Sequence, residues 1–256
     1  MADYQVAAQL YTVREFTQTS DGMRDALRKV AEIGYRAVQV SGFGRIDPQE
    51  VGRALDDFGL DCVSTHTSWD RFLNDLDAVV DEHKLWRCLH PAIGALPKEY
   101  HSLDGLERFA GELSPIAERL AREGMTFSYH NHSHELARYD GKTWLERLYE
   151  TVDARHLKAE IDTYWIQAGG GDPAVWIRRY AGRQPLLHLK DMAVTPDREQ
   201  RFAEIGEGNL NWPAIMAAAR EAGVEWYLVE QDRSYERDPF ESLAISYRNL
   251  RAMGLR

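Results

Sequence analysis

Short apolar runs alternate with longer amphipathic stretches along the whole chain. Eight runs read as strands: 5–11, 36–42, 61–67, 85–91, 126–132, 157–163, 185–191 and 226–232. Between them lie segments with helical spacing. In the segment 21–34, Met23, Leu27, Val30 and Ala31 fall on one stripe, and Gly34 supplies the stop. The next helix opens with Asp47 as cap and Pro48 in its first turn, and closes at Gly59. A long amphipathic segment, 102–124, ends at Gly124; another runs from the cap Asn211 to Gly223. The stretch AGGGDP, 168–173, reads as a loop leading to a helix capped by Asp172. The segment 194–210 is the longest polar connection after a strand and is expected to be a mobile loop over the site.

Strands alternating with helices favour a parallel sheet. Eight such units in 256 residues match an α/β fold closed as a single (β/α)8 TIM barrel over residues 1–256. An open doubly wound sheet is the competing arrangement, but the turn after the first run lacks the glycine-rich fingerprint of that fold.

Side chains alternate across a strand, so each inward face can be read off. Leu157, Ala159 and Ile161 oppose Lys158, Glu160 and Asp162. Leu187 and Leu189 oppose His188 and Lys190, and Tyr227 and Val229 oppose Leu228, Glu230 and Asp232. Ser128, His130 and His132 share a face, as do Ser64 and His66. The charged and imidazole groups therefore face the axis near the C-terminal ends of the strands, where barrel active sites are built. Unpartnered, each would cost several kcal/mol to bury. A divalent cation offsets that cost, and His130, Asp162, His188 and Glu230, from four consecutive strands, form the expected ligand set. His132 is the alternative to His130. His83, His90, His101 and His156 read as satisfied core or surface residues, and His134 as a loop residue.

Composition narrows the picture. With 44% apolar and 28% charged residues the chain is that of an ordinary globular protein. A net charge of −10 argues against gripping a phosphate backbone. No apolar run is long enough to span a membrane, and MADYQVAAQLY has no leader pattern. Cys62 and Cys88 are expected to be buried, reduced thiols of a cytoplasmic protein.

In order and spacing, LKAEIDTYWIQAGGGDP, LLHLKD, IGEGNLNW and WYLVEQD resemble the sugar isomerase/epimerase superfamily with the xylose isomerase-like barrel. The resemblance implies a divalent-metal-dependent isomerase or epimerase acting on a small keto-sugar or keto-polyol through an enediolate, with manganese the leading metal and zinc, cobalt, iron or magnesium the alternatives. Epimerases of this family draw ligands Glu, Asp, His and Glu from strands five to eight. Carried over by position, the last three fall on Asp162, His188 and Glu230, while YHNH places His130 where the first glutamate stands. The missing glutamate puts simple two-base epimerisation in doubt and shifts weight toward a dehydratase or lyase acting on a keto-inositol or keto-glycoside. A sugar-binding barrel without turnover is a third reading. In the enzymatic readings Glu230 is ligand and base, Glu160 or Glu135 returns a proton, and Lys190 holds an oxyanion or a remote hydroxyl. His66 and His132 orient hydroxyls, Trp165 and Tyr11 cover the sugar's apolar face, and Gln9 is a further hydroxyl contact. The AP endonuclease branch uses more histidines; Trp165 stands where one of them would follow Asp162, so a nucleic-acid substrate is not expected. Barrels of this family commonly pair, so the resemblance is compatible with a homo-oligomer, although no apolar segment of the sequence identifies an interface.

Overall fold

The computed structural model describes residues 5–255. The first four residues of the stretch read above for a leader lie outside the described residues. Eight parallel strands close into a barrel: β1 (Val6–Gln9), β2 (Ala37–Val40), β3 (Asp61–Thr67), β4 (Pro91–Ile93), β5 (Ser128–His130), β6 (Lys158–Asp162), β7 (Leu186–Leu189) and β8 (Trp226–Val229). Each pairs with its sequence neighbours, and β1 closes the ring on β8 with Val6 opposite Tyr227 and Ala8 opposite Val229. The expected TIM barrel is the observed fold.

The helices follow from their caps and stripes. The first, α1 (Ser20–Ile33), buries Met23, Ala26, Leu27 and Val30. Next comes α2 (Pro48–Phe58), whose cap Asp47 accepts from Gln49 N and whose stop, Gly59, is left-handed with φ of 63°. It is followed by α3 (Trp69–Asn74), α4 (Leu76–Leu85), α5 (Leu103–Arg122), α6 (Trp144–Thr151), α7 (Thr163–Ala168), α8 (Pro173–Arg179), α9 (Trp212–Ala222) and α10 (Pro239–Ala252). Asp172 caps α8 and Asn211 caps α9, as the sequence predicts.

Two apolar regions hold the barrel. Outward residues such as Val38, Val40, Leu187, Leu189 and Val229 join the helices in one large cluster. A small inner cluster, Ala7, Ala37, Val63, Leu186 and Leu228, plugs the N-terminal end of the barrel. The axis is thus apolar at its floor and polar at its mouth. A register slip between β2 and β3 leaves Val63 and Ser64 both facing inward.

Three expectations need correction. The fourth strand is not 85–91 but Pro91–Ile93. Leu85 ends α4, and a turn through Arg87, at φ of 54°, reverses the chain before the strand begins. Several strands are shorter than their apolar runs: β1 gives way at Leu10 to a 3-10 helix reaching Phe16, and β8 stops at Val229. The polar segment 194–210 is partly ordered as a hairpin, Asp191–Val194 with Gln200–Ala203. Its root is clasped by the buried carboxylate of Asp191. That group accepts from the main-chain N–H of Met192, Gly206, Gly208 and Leu210 and, at 2.6 Å, from Trp212 Nε1. A side chain at position 208 would meet Asp191 Oδ1 at 2.4 Å, so glycine is required there.

Candidate metal centre and active site

The four residues expected to hold a cation come together. His130, Asp162, His188 and Glu230 each offer one ligand atom, and these atoms lie within 4.8 Å of one another. All four are buried. The fold supplies each of them for a local reason. His130 is the last residue of β5. Asp162 ends β6 and caps α7, where its Oδ1 accepts from Trp165 N at 2.9 Å, leaving Oδ2 to face the site. His188 lies in β7, and Glu230 follows β8 directly.

Hydrogen bonds fix which imidazole nitrogen is available. His130 Nδ1 faces the Gly94 carbonyl at 3.2 Å and must donate to it, which leaves Nε2 directed at Asp162 Oδ2, 3.3 Å away. His188 Nδ1 lies 2.9 Å from Glu230 Oε2, on the side of the other ligands. Its Nε2 points the other way, 3.5 Å from Glu160 Oε1. An imidazole backed by a carboxylate on its far nitrogen is the usual arrangement of a metal-ligating histidine.

Glu160, read from the sequence as a proton carrier, is completely buried and does not line the cavity. Its Oε1 accepts from Gln39 Nε2 and its Oε2 from His66 Nε2, both at 2.8 Å. His66 Nδ1 in turn accepts from Gln9 Nε2 at 3.2 Å. Gln9, read as a hydroxyl contact, therefore braces a histidine. Gly94 is required beside this network, since a side chain there would come within 2.8 Å of the His66 ring.

Lys190 follows β7 and is buried amid carboxylates. Its Nζ lies 2.9 Å from Glu230 Oε2, 3.1 Å from Asp232 Oδ1 and 3.3 Å from Asp162 Oδ2. Burial opposes its charge, but Asp162, Glu230 and Asp232 outweigh burial and hold its pKa above the ordinary lysine value. Burial likewise raises Asp162 and Glu230, but Lys190 and the histidines hold both below the usual carboxylate range. For Glu160 burial is outweighed by His188 and His66, and its pKa is also lowered. His188 is pushed down by burial but raised to about 10 by Glu160 and Glu230. His130 falls to about 4 and His132 to about 2, burial being the main cause in each. Asp232 is raised to about 6 by burial and by Glu230, against the pull of Lys190.

Above these groups opens a cavity of about 520 Å³, within the range of small-molecule sites. His66, His132, Trp165 and Tyr11 line it, as the sequence reading expects, together with His130, Lys190 and Glu230. Asp232, which the alternation places on the inward face but to which the sequence gives no role, lines it too, as do Arg14, Phe202 and Arg233, which the sequence does not single out. Asp232 shares the parity of Glu230, and that parity is the signal that finds it. The other three lie outside the barrel strands, where no periodicity points. Glu135 lies apart from the cavity: its Oε1 accepts from Tyr129 Oη at 2.8 Å and its Oε2 from His132 N at 2.9 Å. Among the remaining histidines, His83 is a satisfied core residue between Val79 O and Thr65 Oγ1.

The donor set fits a divalent cation. Two imidazoles and two carboxylates converge, the outer atoms of His130 and Asp162 are already hydrogen-bonded, and His130 Nε2 and His188 Nδ1 face the converging carboxylates. No helix among the described residues is long and apolar enough to cross a membrane.

Comparison with known proteins agrees with this architecture. An inosose dehydratase of Geobacillus kaustophilus (strain HTA426) is 26% identical over 86% of this chain and 82% of its own. The rhizopine catabolism protein MocC of Rhizobium meliloti is 22% identical over 88% of this chain and 78% of its own. A crystal structure of a sugar phosphate isomerase/epimerase from Parabacteroides distasonis superposes with a TM-score of 0.81 at 26% identity, covering 98% of this chain and 95% of that one. The family described as xylose isomerase-like TIM barrel matches residues 27–252, and the chain belongs to it.

Proposed function

We propose that this protein is a divalent-metal-dependent enzyme that removes the proton alpha to the ketone of a small keto-sugar or keto-polyol. The single observation that carries this reading is the convergence of His130, Asp162, His188 and Glu230 at the floor of an open cavity. These four residues would hold the cation, with manganese favoured by the family resemblance. A bound cation supplies Lewis acidity to a carbonyl and charge neutralisation to the enediolate.

The chain's own residues do the rest. Glu230 accepts the alpha proton on a carboxylate oxygen, in contact with both His188 and Lys190. The Lys190 ammonium, kept charged by its carboxylate neighbours, donates to the developing oxyanion. Glu160 is a positioning residue. It orients His188 through Nε2 and His66 through Nε2, and Gln39 fixes Glu160 in turn. His132 orients a substrate hydroxyl, the ring of His66, with both nitrogens taken by Glu160 and Gln9, forms part of the wall, and Trp165 covers an apolar face. Asp232, on the cavity wall with a pKa near neutrality, is the better placed group to return a proton.

Return of the proton gives isomerisation or epimerisation. Loss of a β-substituent gives dehydration or lyase chemistry. The second outcome is favoured by one feature: the carboxylates on the cavity wall, Glu230 and Asp232, both follow β8, and none faces them from β5, where His130 stands. Similarity to an inosose dehydratase supports the same outcome. The deciding experiment is hydrogen–deuterium exchange alpha to the ketone across a panel of keto-sugars and keto-inositols, with and without divalent metal. Exchange that requires metal supports the reading, and product analysis then separates isomer from elimination product. A protein that binds these compounds without exchanging any of them would be a binding barrel instead.

A further inference from the structure

The cavity does not end at its rim. Arg14, Asp232 and Arg233 belong both to its wall and to the wall of a second cleft of about 540 Å³. That cleft runs between the 3-10 helix Leu10–Phe16 and the segment 232–239, with Phe16, Tyr235 and Arg237 on its sides. Arg14 and Arg233 thus stand at the passage from one space to the other.

Charge at this passage runs against the charge of the chain. Of the five charged side chains lining the catalytic cavity, three are cationic, Arg14, Lys190 and Arg233, in a protein of net charge −10. Lys190 is already matched by Asp162, Glu230 and Asp232. The two arginines are not matched: among the described residues neither has a carboxylate partner, whereas Arg237 in the same cleft is paired with Glu204 and Glu207. Arg14 is nevertheless held in place. Its Nη1 donates to the main-chain oxygens of Tyr11 and Asp232, at 2.9 and 3.1 Å, and its guanidinium lies 4.2 Å over the Tyr11 ring. Asp232 does not neutralise it, because that carboxylate is turned to Lys190 Nζ and only its carbonyl meets Arg14. A preset guanidinium beside a second, free one is suited to a planar or tetrahedral oxyanion.

We infer that the substrate carries an anionic substituent, a carboxylate or a phosphate, which Arg14 and Arg233 hold at the junction of the two spaces while the keto end faces Glu230 and Lys190. The inference rests on the proposed enolisation in the catalytic cavity and narrows the class of keto-sugar that it accepts.

The test compares alpha exchange on matched sets: a neutral keto-sugar, its terminal phosphate ester and its uronate. One of the anionic forms is expected to exceed the neutral parent by about tenfold in kcat/KM, and which one does so identifies the substituent. In Arg233→Gln, an exposed position without a side-chain partner, the ratio of anionic to neutral kcat/KM should fall about fivefold, as suits a solvent-accessible ion pair. Arg14→Gln should lower the ratio further. A ratio near one in the unaltered protein, or a ratio that neither variant changes, overturns the inference. Should no compound exchange, the enolisation reading fails by itself. Calorimetric titration with inorganic phosphate and with malonate, at constant chloride, then decides the anion site: binding weakened in the double variant supports it, and absence of binding ends it.

Discussion

The two halves of the barrel mouth do different work with different chemistry. Strands β5 to β8 supply His130, Asp162, His188 and Glu230, and Lys190 follows β7, so charge is concentrated there. Strands β1 to β3 supply Gln9, Gln39, Ser64 and His66, which are neutral or weakly basic and bond mainly to one another and to Glu160. The first half holds the second in shape. Burying four carboxylates and a lysine around one point is tolerable only when they are paired and hydrogen-bonded, and the first half contributes two donors, Gln39 and His66, to Glu160. A single barrel can therefore separate the groups that react from the groups that aim them.

The largest break in this comparison should come from Glu230→Gln. It preserves shape and removes the proposed base, so alpha exchange should fall by about 10³-fold or more, read by NMR in deuterated buffer. A variant that keeps most of its exchange would move the base elsewhere. Glu135→Gln, behind His132, comes next and is read in stability. Burial raises the Glu135 carboxyl to about 7 from an ordinary 4.5, so the folded state favours the protonated form. The stability this group contributes is complete below pH 4.5 and is lost as pH rises through about 7. Glutamine does not titrate, so the unaltered protein should lose up to about 3 kcal/mol relative to the variant across that window. Urea unfolding at pH 4.5, 6 and 8 measures the difference; parallel profiles would mean that the carboxyl is not raised.

Gln39→Leu probes the supporting half directly. It removes the donor to Glu160 Oε1 without touching any ligand, and outer hydrogen bonds of this kind are worth about 10- to 100-fold in metal affinity or activity. Metal titration and exchange rates should both shift; a loss as large as that of Glu230→Gln would erase the distinction between the halves. The smallest effect is expected from Asp47→Ala at the start of α2, far from the reacting groups. Losing the cap bond to Gln49 N should cost about 1 kcal/mol in thermal unfolding and leave exchange unchanged.

How far the sequence could be read follows from what alternation encodes. Period-two spacing assigns a face, and it placed Asp162, His188 and Glu230 on the axis correctly. It says nothing of depth. Glu160 and Asp162 share a face, yet two residues of strand separate them by about 6.6 Å, enough to put one beneath the site and the other in it. The same reasoning explains why Asp232, two residues above Glu230, reaches the cavity wall. The fourth strand was misplaced because Leu85, Cys88 and Leu89 are apolar without being in a strand: Leu85 ends a helix, and Leu89 is exposed. Arg14, Phe202 and Arg233 left no trace, since their positions depend on loops whose path only tertiary contacts define.

The clasp at Asp191 has a consequence for how this barrel can change. Because one carboxylate ties both ends of the segment beginning at Met192 and ending at Trp212, the hairpin between them hangs from a rigid collar. Residues near its tip, around Thr195 and Glu199, can be lengthened, shortened or exchanged without transmitting strain to Lys190 next door. Evolution or engineering can therefore remodel what hangs over the mouth while the chemistry below stays in register.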